Sequence, residues 1–174
     1  MEIIETNITE RTVKYIEFDT SINCIKLLPL DNWCLIIIAD DKNQIFFEEI
    51  IGQSIDRKVG YILSVGEQYD FIHNLADEII GVRACEIEDN FLPEHVIMTV
   101  GEKDFENGIW FGLFLTMNNE TDINETIILD FTKRSRNLII ELIKKIENGY
   151  LPPDDIPQNS FKSFLKQIKT KFSF

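Results

Sequence analysis

Six carboxylates stand where short apolar runs of this chain end. Asp40 and Asp41 follow Leu35-Ile36-Ile37-Ile38-Ala39. Glu67 follows Tyr61 to Gly66, Glu102 follows Val96 to Gly101 with Asp104 close by, and Asp130 ends the run from Thr126. If those runs are parallel strands, their carboxyl ends gather on one edge, where α/β folds usually bind ligands. Converging carboxylates suit Mg²⁺ or Mn²⁺, which prefer hard oxygen ligands in octahedral geometry. Asp40, Asp41, Glu67 and Glu102 are therefore the candidate metal ligands, with Mg²⁺ the ion they would take. The same residues could equally cap helices, since a carboxylate beside a helix start meets free N–H groups and a positive dipole end.

Two of these ends read almost alike. Leu63-Ser64-Val65-Gly66-Glu67 and Met98-Thr99-Val100-Gly101-Glu102, 35 positions apart, both finish in a small hydroxyl residue, Val, Gly and Glu. The likeness predicts two strand-to-helix crossings of one design, each with a carboxylate where many α/β proteins hold a phosphate. No GxGxxG or GxxxxGK[ST] follows a strand, and a carboxylate in that place repels a phosphate. Ser64 and Thr99 lack the GxSxG setting of a hydrolase nucleophile. His73 and His95 are the only histidines. A spatial pairing of either with Cys85 has no motif behind it. The three cysteines, Cys24, Cys34 and Cys85, form no CxxC pair, which reads as reduced, mostly buried thiols in a cytoplasmic protein.

The elements that would position these groups alternate. Val13–Phe18 and Cys24–Leu28 are expected to form an antiparallel strand pair about a turn at Asp19-Thr20-Ser21. Trp33–Ala39 is a strand whose unbroken aliphatic run predicts cover on both faces. A helix over 42–55, a strand over 61–65 and a helix over 69–82 follow. Next come a strand over 95–100, a segment 105–117 whose Gly108 and Gly112 would allow close packing on a sheet, a strand over 126–131 and a helix over 137–146. The expected fold is α/β: a three-layer α/β/α sandwich with a mainly parallel, Rossmann-like sheet, an N-terminal antiparallel strand pair and a C-terminal amphipathic helix.

The chain divides by charge as well. Residues 1–131 hold 8 Lys/Arg against 26 Asp/Glu, whereas residues 132–174 hold 9 against 4. The acidic body, 1–150, would repel a nucleic-acid backbone. Residues 151–174 form a Pro-rich linker and a basic segment. In it Phe161, Phe164, Leu165, Ile168 and Phe172 fall on one helical stripe, with Lys162, Lys166, Lys169 and Lys171 on other faces. Such a helix could dock on its own acidic body, on a protein partner or on a second copy as a homodimer. A membrane surface is the least favoured target, and no run is long enough to span one.

The stretch Val96 to Phe114, with Ile97-Met98-Thr99, then Glu102, Asp104 and Ile109-Trp110-Phe111, resembles a poorly characterised bacterial family. There a strand ending Met-Thr leads through an acidic turn to a helix with a Leu-Trp-Phe-Phe-like patch. Tyr61 to Glu78 is similar to the unit before it. This chain has Val100-Gly101 where the family often has Trp-His, and a shorter turn. The resemblance implies an architecture for a domain of unknown function and no activity. Asp40-Asp41 also resembles the first acidic pair of a response-regulator receiver domain. A receiver needs a phospho-acceptor Asp closing a middle strand, and the 61–65 and 95–100 strands close in Gly-Glu; Lys133 follows the last strand at a poorly fitting offset.

Together these features favour a non-enzymatic interaction protein that binds a partner with a basic surface, in the manner of small acidic immunity or phage-defence accessory proteins. Trp110, Phe161, Phe164, Ile168 and Phe172 are the expected contact residues. The alternative is a divalent-metal-dependent enzyme or a degenerate receiver-like switch built on the acidic edge.

Overall fold

The protein was analysed as a computed structural model, which describes residues 1–7, 10–20, 24–41, 44–85 and 92–152. The expected helix on Phe161 to Phe172 lies outside the described residues. At the centre is β3 (Trp33–Ile38), every residue of which is buried. Its side chains alternate between two apolar layers. Leu35 and Ile37 pack with Phe47, Ile51 and Ile72 from α1 (Gln44–Asp56) and α2 (Tyr69–Cys85). Cys34, Ile36 and Ile38 pack with Ile109 and Leu113 from α3 (Phe105–Phe114) and with Ile139 and Ile143 from α4 (Arg136–Glu147). A strand that must satisfy both layers cannot spare a polar face, which is why it is a continuous aliphatic run.

Among the described residues the sheet has six strands, in the order β1-β2-β6-β3-β4-β5. They are β1 (Glu2–Ile4), β2 (Thr12–Glu17), β4 (Val59–Val65), β5 (Met98–Glu102) and β6 (Glu125–Asp130) with β3. Only β1 and β2 pair antiparallel; the other neighbours are parallel. The fold is therefore the expected α/β sandwich, with one correction at its start. The antiparallel partner of β2 is Glu2–Ile4, and Cys24–Leu27 is a short 3-10 turn. The reason is visible in burial. Cys24 and Leu28 are buried four residues apart, a helical spacing, and Leu28 N donates to Ile25 O.

β5 also starts later than its apolar run. Val96 N donates to Glu120 Oε2, and Val96 O accepts from Asn118 Nδ2, so loop side chains take the backbone groups that a longer ladder would use. His95 stands before the strand, with Nε2 3.0 Å from Val59 O.

The two Ser/Thr-Val-Gly-Glu repeats do not make one turn design. Ser64 pairs with Gly101 and Val65 with Glu102, so the motif sits two residues further along β4 than along β5. Gly66 leaves β4 at φ +96°, and a Cβ there would lie 3.2 Å from Ala39 O. Gly101 lies inside β5, where a Cβ would meet Tyr69 and His73 of α2. The first glycine serves a left-handed turn and the second the close approach of a helix. Gly66→Ala should accordingly cost about 1–2 kcal/mol, since a Cβ is disfavoured by that much in the left-handed region. Urea denaturation at neutral pH measures it.

Candidate site at the carboxyl edge of the sheet

From β3 the chain steps through α1, β4, α2 and β5 towards one edge. It then returns through α3 on the opposite face to lay β6 on the other side of β3. The connections leaving β3 and β6 therefore run to opposite faces of the sheet. A crevice is expected outside the carboxyl ends of two such strands. A cavity of about 330 Å³ opens there, lined by Asp40, Asp41, Phe131, Thr132 and Arg134.

Asp40 is half-exposed and its Oδ2 accepts from Arg134 Nη2, an ion pair that joins the β3 and β6 loops. Its backbone oxygen accepts from Gln68 Nε2 at 2.9 Å, and Gln68 N donates to Ala39 O, so the β4 loop is tied to the same point. Asp41 and Glu67 are exposed and enter no ion pair among the described residues. Glu102 turns into its own loop, where Oε1 accepts from Asp104 N at 3.0 Å, and Asp104 caps α3 by accepting from Asn107 N. Of the four carboxylates expected as metal ligands, Asp40 and Glu102 thus have separate engagements, with Arg134 and with the Asp104 amide. Asp40 and Asp41 share the cavity; Glu67 and Glu102 do not line it. Among the described residues no group of three or more His, Cys, Asp or Glu is placed to hold a metal ion.

Asp130 differs from its neighbours on this edge. It is 0% exposed, and its oxygens accept from Tyr15 Oη (2.7 Å), Thr132 N (2.8 Å), Thr132 Oγ1 (2.7 Å) and Ser135 N (2.8 Å). Burial pushes its carboxyl group up, but the bonds from Thr132, Tyr15 and Ser135 outweigh burial and leave it below the usual aspartate value. Ser135 makes no side-chain cap at the start of α4, so Asp130 supplies the acceptor there from the end of β6. Its part is to shape the loop 131–135 that carries Thr132 and Arg134 into the cavity.

Two other candidates resolve into structural contacts. Thr99 Oγ1 donates to Asp77 Oδ1 at 2.5 Å and lies 3.3 Å from His73 Nε2, with Asp77 Oδ2 3.6 Å from the same nitrogen. A hydrolytic relay needs the carboxylate on the imidazole's other nitrogen, so this cluster ties α2 to β5 and does not activate a nucleophile. Cys34 is fully buried and its thiol is pushed up to about 12 by burial, which makes it inert; Cys24 is buried too, whereas Cys85 is exposed.

Trp110, the described member of the expected contact set, lies half-buried on α3. Its ring centroid is 6.1 Å from that of Phe114, and it belongs to neither core layer. Arg134 was not among the residues singled out from sequence. An exposed cation in a loop has no signal of its own until strand order places it opposite Asp40. No helix among the described residues is long and apolar enough to cross a membrane.

Residues 13–148 match the family described as a domain of unknown function, DUF7684, and the chain belongs to it. An uncharacterised domain family, as the resemblance of Tyr61 to Glu78 and Val96 to Phe114 implied, is thereby found, and the match runs from the second residue of β2 to just past the end of α4. No curated protein and no solved structure matches the chain.

Proposed function

We propose that this member of DUF7684 is a non-enzymatic interaction module that engages a basic protein surface at the carboxyl edge of its sheet. The observation that carries this reading is the cavity between β3 and β6, whose lining includes the ion pair of Asp40 with Arg134, and the Arg134 side chain is 73% exposed. Exposed pairs of this kind contribute about 0–1 kcal/mol. A partner's arginine or lysine can therefore replace Arg134 on Asp40 at little cost and gain Asp41 beside it. The body around the site, residues 1–131, carries 18 more acidic than basic residues. That field speeds encounter with a cationic partner and weakens as salt rises.

Titration with a short Lys/Arg-rich peptide, followed through backbone amide NMR shifts, tests this. The largest shifts should fall on 39–41, 66–68 and 131–135. Asp40→Asn with Asp41→Asn should weaken binding about tenfold or more, about 1.4 kcal/mol. Glu49→Gln with Glu78→Gln removes the same charge from exposed positions on α1 and α2 and should do far less. Equal losses from both pairs, or shifts spread evenly over the surface, would reduce the effect to net charge and remove the proposed site.

A further inference from the structure

The sheet ends at β5. Among the described residues β4 pairs with one side of it and no strand lies on the other. Gly66 N donates to Glu102 O and Ser64 Oγ to Val100 O, so the even-numbered residues of β5 turn their backbone groups towards β4. Thr99 and Gly101 alternate with them and turn theirs outward. Such a row is a template for a further strand.

The two flanks of this edge differ in chemistry. Val96, Met98 and Val100 lie two residues apart and so on one face, and Val100 packs into the layer that holds α3. Val96 is 58% and Met98 42% exposed, and Leu115, 40% exposed, continues their surface. Tyr61 pairs with Met98 and meets the Phe111 ring at 6.1 Å, and Leu115 stands one turn on from Phe111. Asn118 Nδ2 donates to Val96 O at 2.7 Å, which brings the chain after α3 to the same edge. The α2 flank is acidic instead. Asp77 accepts from Thr99 and is exposed, and Asp70, exposed as well, stands two turns before it on the same side of the helix.

We infer that an extended segment of a partner protein adds to the sheet along β5, with apolar side chains over Val96, Met98 and Leu115 and basic side chains beside Asp70 and Asp77. Side chains of a strand alternate between faces, so the segment carries apolar and basic residues in turn. Backbone bonds to Thr99 and Gly101 hold it, and the two flanks select it. A second copy of this chain suits the edge poorly, because two bodies of net charge −13 repel one another. The surface is separate from the Asp40–Arg134 cavity, which lies between β3 and β6.

The probe is a peptide of about six alternating lysines and valines, a common strand length, titrated into the full chain and followed by amide NMR. Shifts should concentrate on 97–103, and the Thr99 and Gly101 amides should become protected from exchange. A peptide of the same composition in two blocks should bind about tenfold more weakly or worse. Thr99→Pro removes an outward N–H and none that faces β4, and should weaken binding about tenfold or more, whereas Thr99→Val keeps that N–H and should bind like the native chain. Two further peptides block the bonds without touching the protein, one methylated on the valine backbone nitrogens and one on those of the lysines. One should lose binding and the other keep it, because only alternate residues face β5. Asp40→Asn with Asp41→Asn should leave binding unchanged. No binding, equal binding of the alternating and block peptides, equal loss from both methylated ones, or full affinity in Thr99→Pro would overturn the inference. So would shifts confined to 39–41 and 131–135, which assign the peptide to the cavity. A native dimer that the peptide dissociates, seen by light scattering, would give the edge to a second copy and overturn it too.

Discussion

Asp130→Ala destabilises the fold by about 3–5 kcal/mol at neutral pH, the largest loss expected from any carboxylate on this edge. The carboxylate is fully buried and accepts four hydrogen bonds. Truncation leaves the Tyr15 hydroxyl and the Ser135 amide without their acceptor in residues only 3% and 4% exposed. Each orphaned buried donor costs about 1–3 kcal/mol, against a total stability of about 5–15 kcal/mol for a domain of this kind. Asp130→Asn keeps the shape but loses the charge and points an amide donor among donors, so it should recover only part of the loss.

The pH dependence of that difference has a definite sign. The folded Asp130 carboxyl lies below the usual aspartate value, so the unfolded chain binds its proton first as pH falls. Its stabilisation is whole above about pH 4, the unfolded value, and drains away as pH drops through the lower folded value. Tyr15 works at the other end. Burial, and then the bond to Asp130, raise its hydroxyl far above the usual tyrosine value. Its contribution is whole below about pH 10 and is lost as pH rises beyond that. Urea denaturation of the native and Asp130→Ala chains from pH 3 to pH 10 measures this. The gap between them should be widest through the neutral range and shrink towards acid. A constant gap would mean that packing, not the charged network, accounts for the loss.

Asp130 and Asp40 show how far sequence reasoning reaches. Both close aliphatic runs, and both belong to the acidic edge that the alternation of elements predicts. What separates a buried loop anchor from a half-exposed ion-pair member is Tyr15, on a strand far away in sequence that lies beside β6. Strand order carries that information, and one sequence does not contain it in any local pattern. The same holds for the cavity, which exists because β6 returns to the far side of β3. By contrast β3, α2, β6 and α4 were legible because each must bury a stripe or both faces, and burial writes a period into the residues. Glu2–Ile4 is three residues long and too short to carry a period. Cys24–Leu28 is apolar apart from Lys26 and does not alternate, and its composition alone suggests a strand. The repeated Val-Gly-Glu was a likeness of letters. Its two glycines answer different demands, a left-handed turn at Gly66 and a passing helix at Gly101.

A third glycine gives the second large effect. Gly112→Ala should destabilise the protein by about 1–3 kcal/mol, the usual range for forcing a methyl group into a packed interior. In an exposed helix the same change stabilises by about 1 kcal/mol, because alanine loses less backbone freedom on folding. The sign reverses here because α3 lies against the sheet without clearance. A Cβ at Gly112 would stand 2.3 Å from Ile36 Cδ1 and 2.9 Å from Leu63 Cδ2, and both side chains are fully buried. Neither can swing into solvent, so α3 must lift from β3 and β4, loosening Ile109 and Leu113 on its inner face. Gly81 on α2 supplies the control, since a Cβ there meets nothing within 4 Å. Gly81→Ala should stabilise by about 0.5–1 kcal/mol. Denaturation midpoints of the two variants should therefore move in opposite directions from the native value. If both rise, α3 has room that the packing denies, and the close approach of α3 to β3 and β4 is wrong.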